Sequence, residues 1–175
     1  MRFIRHIALL TALAAALTTA CGDDSLTSIT LAGRGLTMNV SELQVVDGLI
    51  YQDVDSEFYS VGPAMEGHDL MVTRVTIWNT RSGLLSLNID EDSGRLDGTD
   101  GERSFPVDPY ERRVKLDAPP AALSPHLPFL WGPSELPQDF NISGWMVFEL
   151  PVGTEIAQLR WEQVDALRFP IEISE

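Results

Sequence analysis

The chain has 175 residues, with 12 lysines and arginines against 26 aspartates and glutamates, a formal net charge of −14 and one cysteine. This length makes about one domain with a single core. The acidity argues against nucleic acid as a partner, and a lone thiol excludes an internal disulfide. The acids are spread along the chain instead of forming one block, which is the distribution of a solvated surface.

The first element is a leader over residues 1–20. Arg2 and Arg5 make a basic start, and Ile7 to Leu17 is an apolar stretch too short to span a bilayer. Small residues then lead to Cys21, the layout of a cleaved secretory signal. Removing the leader takes away two basic residues and no acid, so the formal charge moves from −14 to −16. The run Leu17-Thr18-Thr19-Ala20-Cys21 resembles the bacterial lipoprotein lipobox in a relaxed form, with Thr18 where leucine normally stands. The resemblance implies that the Cys21 thiol is lipidated and its amino group acylated, giving the protein a membrane partner through its lipid anchor. No free thiol then remains for catalysis, redox exchange or metal ligation. Residues 21–27, with Gly22-Asp23-Asp24-Ser25, read as a short polar tether. Under the usual sorting rule an aspartate directly after the cysteine favours the inner membrane; Gly22 stands there, so the expected address is the outer membrane of the cell envelope.

Residues 28–175 read as one all-β domain of short extended segments divided by Gly, Pro, Asp and Asn. Weak strands are expected at Thr27 to Leu31, Leu36 to Val40, Leu43 to Val46 and around Phe105 to Val107. The clearest strand is Met71 to Trp78, with Met71, Thr73, Val75 and Ile77 on the face expected to be the core. Asn79 to Gly83 is turn chemistry, and Leu85, Leu87 and Ile89 resume the alternation, so an antiparallel hairpin is expected there. Asp90 to Glu102 reads as an acidic connection. Ala118 to Pro137 reads as a second connection, carrying six of the 11 prolines, a density incompatible with a central ladder. Its apolar Leu127, Phe129, Leu130 and Trp131 are expected to pack on the edge or open end of the domain. The alternative is a partner-docking patch, with Phe129, Leu130 and Trp131 as the partner-binding candidates. Trp145 to Leu150, Gln158 to Trp161 and Phe169 to Ile173 complete the strands of an expected antiparallel sandwich or barrel.

The run Gly144-Trp145-Met146-Val147-Phe148-Glu149-Leu150-Pro151, with Val72 to Asn79 and Leu159-Arg160-Trp161, resembles a family of bacterial envelope domains. This is the immunoglobulin-like domain of unknown function found on secreted proteins and lipoproteins, similar in fold to a secreted mycobacterial immunogenic protein. Asp100-Gly101 with Phe105 fits its middle element, and the resemblance spans about Gly67 to Ile173. It implies an immunoglobulin-like antiparallel β-sandwich, here with a proline-rich insertion, and supplies neither catalytic residues nor a cofactor.

Chemical motifs are sparse. Beyond the leader the imidazoles are His68 and His126, and there is no Gly-x-Ser-x-Gly elbow, paired-histidine zinc motif or phosphate-binding glycine loop. Asp90, Asp92, Asp97 and Asp100 are weak calcium candidates because acidic turns offer hard oxygen ligands, yet their spacing fails the EF-hand pattern. The expected function is a membrane-anchored, non-enzymatic binding domain with an envelope protein as possible partner. The alternatives are an envelope hydrolase acting through paired carboxylates and a calcium-stabilised accessory subunit.

Overall fold

The computed structural model describes residues 28–81 and 83–171. The expected leader and tether with Cys21, Ser82 and the last four residues lie outside the described residues. In chain order the strands are β1 (Ile29–Ala32), β2 (Thr37–Val46), β3 (Leu49–Gln52), β4 (Phe58–Val61), β5 (His68–Trp78), β6 (Leu84–Ile89) and β7 (Gly94–Gly98). They continue as β8 (Arg103–Ser104), β9 (Val114–Lys115), β10 (Gly132–Pro137), β11 (Asn141–Pro151), β12 (Ile156–Trp161) and β13 (Leu167–Pro170). No helix occurs among the described residues, and every ladder between strands is antiparallel. Four sheets result, in the orders β1-β2-β5-β11, β10-β6, β13-β12-β7-β8 and β3-β4-β9, an all-β arrangement consistent with a sandwich.

Strand β5 sits inside the first sheet, and its alternation sends side chains into two cores. Met71, Val75 and Ile77 join Met38 and Val40 of β2 and Met146, Phe148 and Leu150 of β11 against β6, β7, β12 and β13. This is the main core, where Phe148, Trp161 and Phe169 are fully or almost fully covered, each burial contributing about 2–3 kcal/mol. On the opposite face Leu70, Val72, Trp145 and Val147 meet Leu49, Tyr51 and Val61 of the β3-β4 layer. The central sheet is therefore covered on both faces at this end. Strands β3 and β4 lie in a stretch where the sequence pattern predicts no strand.

The expected hairpin between Met71–Trp78 and Leu85–Ile89 does not form. Strand β5 is already paired on both edges, by β2 (Val40↔Val75) and by β11 (Met146↔Thr73), so no edge is left for β6. The buried Asn79 instead steers the chain out of the sheet, its Nδ2 donating to Leu136 O at 2.8 Å and its backbone N to Phe140 O at 3.0 Å. Strand β6 then pairs with β10, from Ile89↔Gly132 to Leu84↔Pro137. The proline-rich stretch thus ends in a strand, and Pro133 and Pro137 are tolerated because β10 pairs on one side only. The acidic connection also contains a strand, β7, which lies between β12 and β8. Finally, the two weak segments at 36–40 and 43–46 are one strand interrupted by a bulge after Ser41, with Glu42 at φ 53°.

The free edge of β11 is closed by two pieces of irregular chain. Val107 N donates to Val147 O at 2.9 Å, Leu130 N to Trp145 O at 2.9 Å, and Trp145 N to Pro128 O at 2.9 Å. Gly144 makes the last of these contacts possible, since a Cβ there would stand 2.8 Å from Pro128 O.

Candidate functional site

In the β13-β12-β7-β8 sheet the period of two sorts side chains cleanly. Leu96, Leu159, Trp161, Leu167 and Phe169 are buried in the main core. The alternate positions carry Arg95 and Asp97 of β7, Gln158 and Arg160 of β12, Arg168 of β13 and Arg103 of β8, all on the outer face. The register places Arg160 opposite both Arg95 and Arg168, and Asp97 opposite both Gln158 and Arg103. Like charges directly across a ladder are destabilising, so a row of three arginines needs a compensating anion.

Asp97 supplies it for Arg95 and Arg160 of that row and also faces Arg103. Its Oδ1 lies 2.9 Å from Arg95 Nε and 3.8 Å from Arg103 Nε, and its Oδ2 lies 2.7 Å from Arg160 Nε. Gln158 Nε2 also donates to Oδ2, at 2.7 Å. The Asp97 side chain is only 13% exposed, against 19% for Arg95, 25% for Arg160 and 63% for Arg103. Burial pushes the carboxyl upward in pKa, but the Gln158 hydrogen bond and the Arg95 and Arg160 charges outweigh it, so Asp97 is held below the usual carboxylate range. This explains how an acidic, glycine-bearing segment forms an interior strand: the neutralising cations arrive from β8 and β12.

Four other cations pair one to one: Arg74 with Glu42, Arg112 with Glu149, Arg113 with Asp53, and Lys115 with Glu57. Only at Asp97 do three arginines share one carboxylate among the described residues, with Glu162 3.6 Å from Arg95 Nη1 as a second, exposed acid. Arg168 is exposed and has no acid partner among the described residues. In a chain of net charge −14 this is a local excess of positive charge.

The other enclosed acids serve the fold. Glu149 Oε1 accepts Ala64 N and Met65 N, both at 2.9 Å, while Oε2 pairs with Arg112. Asp165 accepts the backbone N–H groups of Arg34, Gly35 and Leu36 at 3.0, 2.7 and 3.1 Å, tying the β1–β2 turn to the β12–β13 turn. Burial works to raise both carboxyls, but these backbone donors, with Arg112 at Glu149, hold both below their ordinary values. His126 is buried edge-on to Trp145 with its Nε2 3.0 Å from Gln44 Oε1, and burial lowers its pKa. His68 is half-buried at the start of β5.

The residues singled out from sequence do not form one site. Phe129 and Leu130 are buried, Phe129 meeting Tyr51 edge-on at 5.1 Å, so neither side chain faces a partner as the chain is folded; Trp131 is half-buried and Leu127 exposed. The reason is the pairing of this segment with Trp145, which turns it inward. Asp90 Oδ1 accepts Asp92 N and Ser93 Oγ, both at 3.1 Å, in the turn before β7. Asp100 Oδ1 accepts Glu102 N at 3.0 Å in the turn after it, and Asp97 faces arginines between them. No group of three His, Cys, Asp or Glu is placed to hold a metal ion among the described residues. The arginines were not singled out, although the triplets Leu159-Arg160-Trp161 and Leu167-Arg168-Phe169 repeat one signal, an arginine alternating with core residues. Comparison with protein-family models, curated proteins and solved structures finds no match to this chain.

Proposed function

We propose that this protein is a lipid-anchored, non-enzymatic binding domain of the bacterial envelope, of immunoglobulin-like sandwich type, that takes its ligand on the arginine-bearing outer face of β13-β12-β7-β8. The observation that carries the binding face is the sharing of Asp97 by Arg95, Arg103 and Arg160. The leader ending at Cys21 supports the anchor, and the Gly144-to-Pro151 strand with its resemblance supports the sandwich type. A non-enzymatic role is supported by carboxyls that are held ionised at Asp97, Glu149 and Asp165, whereas a general acid needs a raised pKa.

Two measurements test this. With the leader intact in a lipoprotein-processing host, the wild-type chain is expected in the membrane fraction and Cys21→Ser in the soluble fraction or unprocessed; identical fractionation overturns the anchor. In pull-downs from detergent-solubilised envelopes, Arg103→Glu/Arg168→Glu is expected to lose the ligand recovered by the wild type. Equal recovery rejects this face.

A further inference from the structure

We infer that the ligand of the arginine face is a compact phosphate-type dianion held by the outer nitrogens of Arg95, Arg103 and Arg160. This deepens the binding-domain reading above and rests on it for the choice of face. The first support is orientation. Asp97 approaches all three guanidiniums along their Nε sides, at 2.9, 3.8 and 2.7 Å for Arg95, Arg103 and Arg160. Arg103 and Arg160 held there still have both terminal nitrogens to offer, and Arg95 has its Nη2, since its Nη1 lies 3.6 Å from Glu162; terminal N–H groups are the part that matches phosphate oxygens. Asp97 with Gln158 acts as a positioning pair behind the arginines, fixing three long side chains before any ligand arrives.

The second support is unused donor capacity. Each guanidinium carries five N–H groups. The hydrogen bonds here go to Asp97 from Arg95 Nε and Gln158 Nε2, while the buried Arg160 Nε is close to Asp97 Oδ2 but not aligned to bond it. The guanidinium groups of Arg103 and Arg160 make no hydrogen bond to another group among the described residues. Charge points the same way. Arg95, Arg103, Arg160 and Arg168 face two acids, Asp97 and Glu162, so a dianion matches the excess.

The size of the ligand follows from the boundary of the cluster. Glu162 follows β12 at one end, and Asp100 and Glu102 occupy the β7–β8 turn at the other. A phosphate polymer or a continuous anionic bilayer laid on this face meets those acids, whereas a single phosphate group reaches the arginines between them.

The test uses the processed full chain purified from membranes in detergent. Its melting temperature is followed against inorganic phosphate, with chloride at matched ionic strength as reference. The expected result is a saturable rise with phosphate alone. Arg103→Gln, exposed enough to leave folding intact, is expected to weaken phosphate binding at least tenfold, as loss of a charge-assisted hydrogen bond does. Arg81→Gln, an exposed arginine elsewhere, is expected to leave it unchanged. Equal responses to phosphate and chloride, or an unaltered Arg103→Gln titration, would overturn the inference. Glycerol 3-phosphate in solution and phosphatidic acid in mixed micelles separate the two sources. Equal binding identifies the phosphate group itself as the determinant, tighter binding of one names the source, and binding of neither overturns the inference. If envelope recovery depends on Arg103 and Arg168 while all phosphate probes fail, the face stands and the phosphate chemistry falls.

Discussion

Replacing Asp97 with asparagine keeps the shape of the side chain and removes the charge shared by Arg95, Arg103 and Arg160. A fully buried carboxylate removed from its cations costs about 3–5 kcal/mol, and an exposed pair about 0–1 kcal/mol. Asp97 is 13% exposed but its partners range from 19% to 63%, so the water-screened arginines pull the value down to about 2 kcal/mol. For a domain of this size that lowers the melting temperature by roughly 4–8 °C. In urea denaturation at pH 7 the midpoint is expected to fall with an unchanged slope, because the loss is in the folded state's interactions. Added salt should shrink the difference, since the cost includes repulsion among arginines left without their anion. Combining Asp97→Asn with Arg160→Gln should cost less than the sum of the single changes. A wild-type midpoint in Asp97→Asn, or strict additivity with Arg160→Gln, would refute the shared-carboxylate account.

Gly144→Ala places a methyl 2.8 Å from Pro128 O, a backbone atom that moves only with the segment closing the edge of β11. It is expected to destabilise by about 1–3 kcal/mol and to speed amide exchange at Leu130 and Trp145; wild-type exchange at both would contradict this. Asp97, Glu149 and Asp165 all have folded pKa values below their ordinary ones, so the unfolded chain binds more protons in acid. Their stabilisation is complete above the unfolded carboxyl values of about 4 and is lost as pH falls through the folded values. Urea midpoints should fall gently below about pH 6.5, where unfolded His126 gains a proton that its buried form resists, and more steeply below about pH 4, with Asp97→Asn dropping less in the second phase.

Much of the fold was legible because burial on a sheet face leaves a period of two. Met71 to Trp78 and Trp145 to Leu150 read as strands in the sequence, and Met71, Val75 and Ile77 of the first lie in the main core as that alternation predicts. Strands β3 and β4 were missed because Leu49 and Tyr51 pack under a second layer that local alternation does not announce. Strand β7 was hidden for another reason. Its Asp97 looks like a loop residue until Arg103 and Arg160 are brought beside it from other strands.

An acidic all-β domain and the core-facing residues of the strongest strand are legible in the sequence alone, because both properties are carried by neighbours within a few positions. Tertiary structure decided which strands pair and which charges meet. Strand β5 has only two edges, and once β2 and β11 fill them the hairpin with β6 has nowhere to form. The arginine cluster likewise exists only through register, since Arg95 and Arg160 are 65 positions apart in the chain yet directly opposite in the sheet.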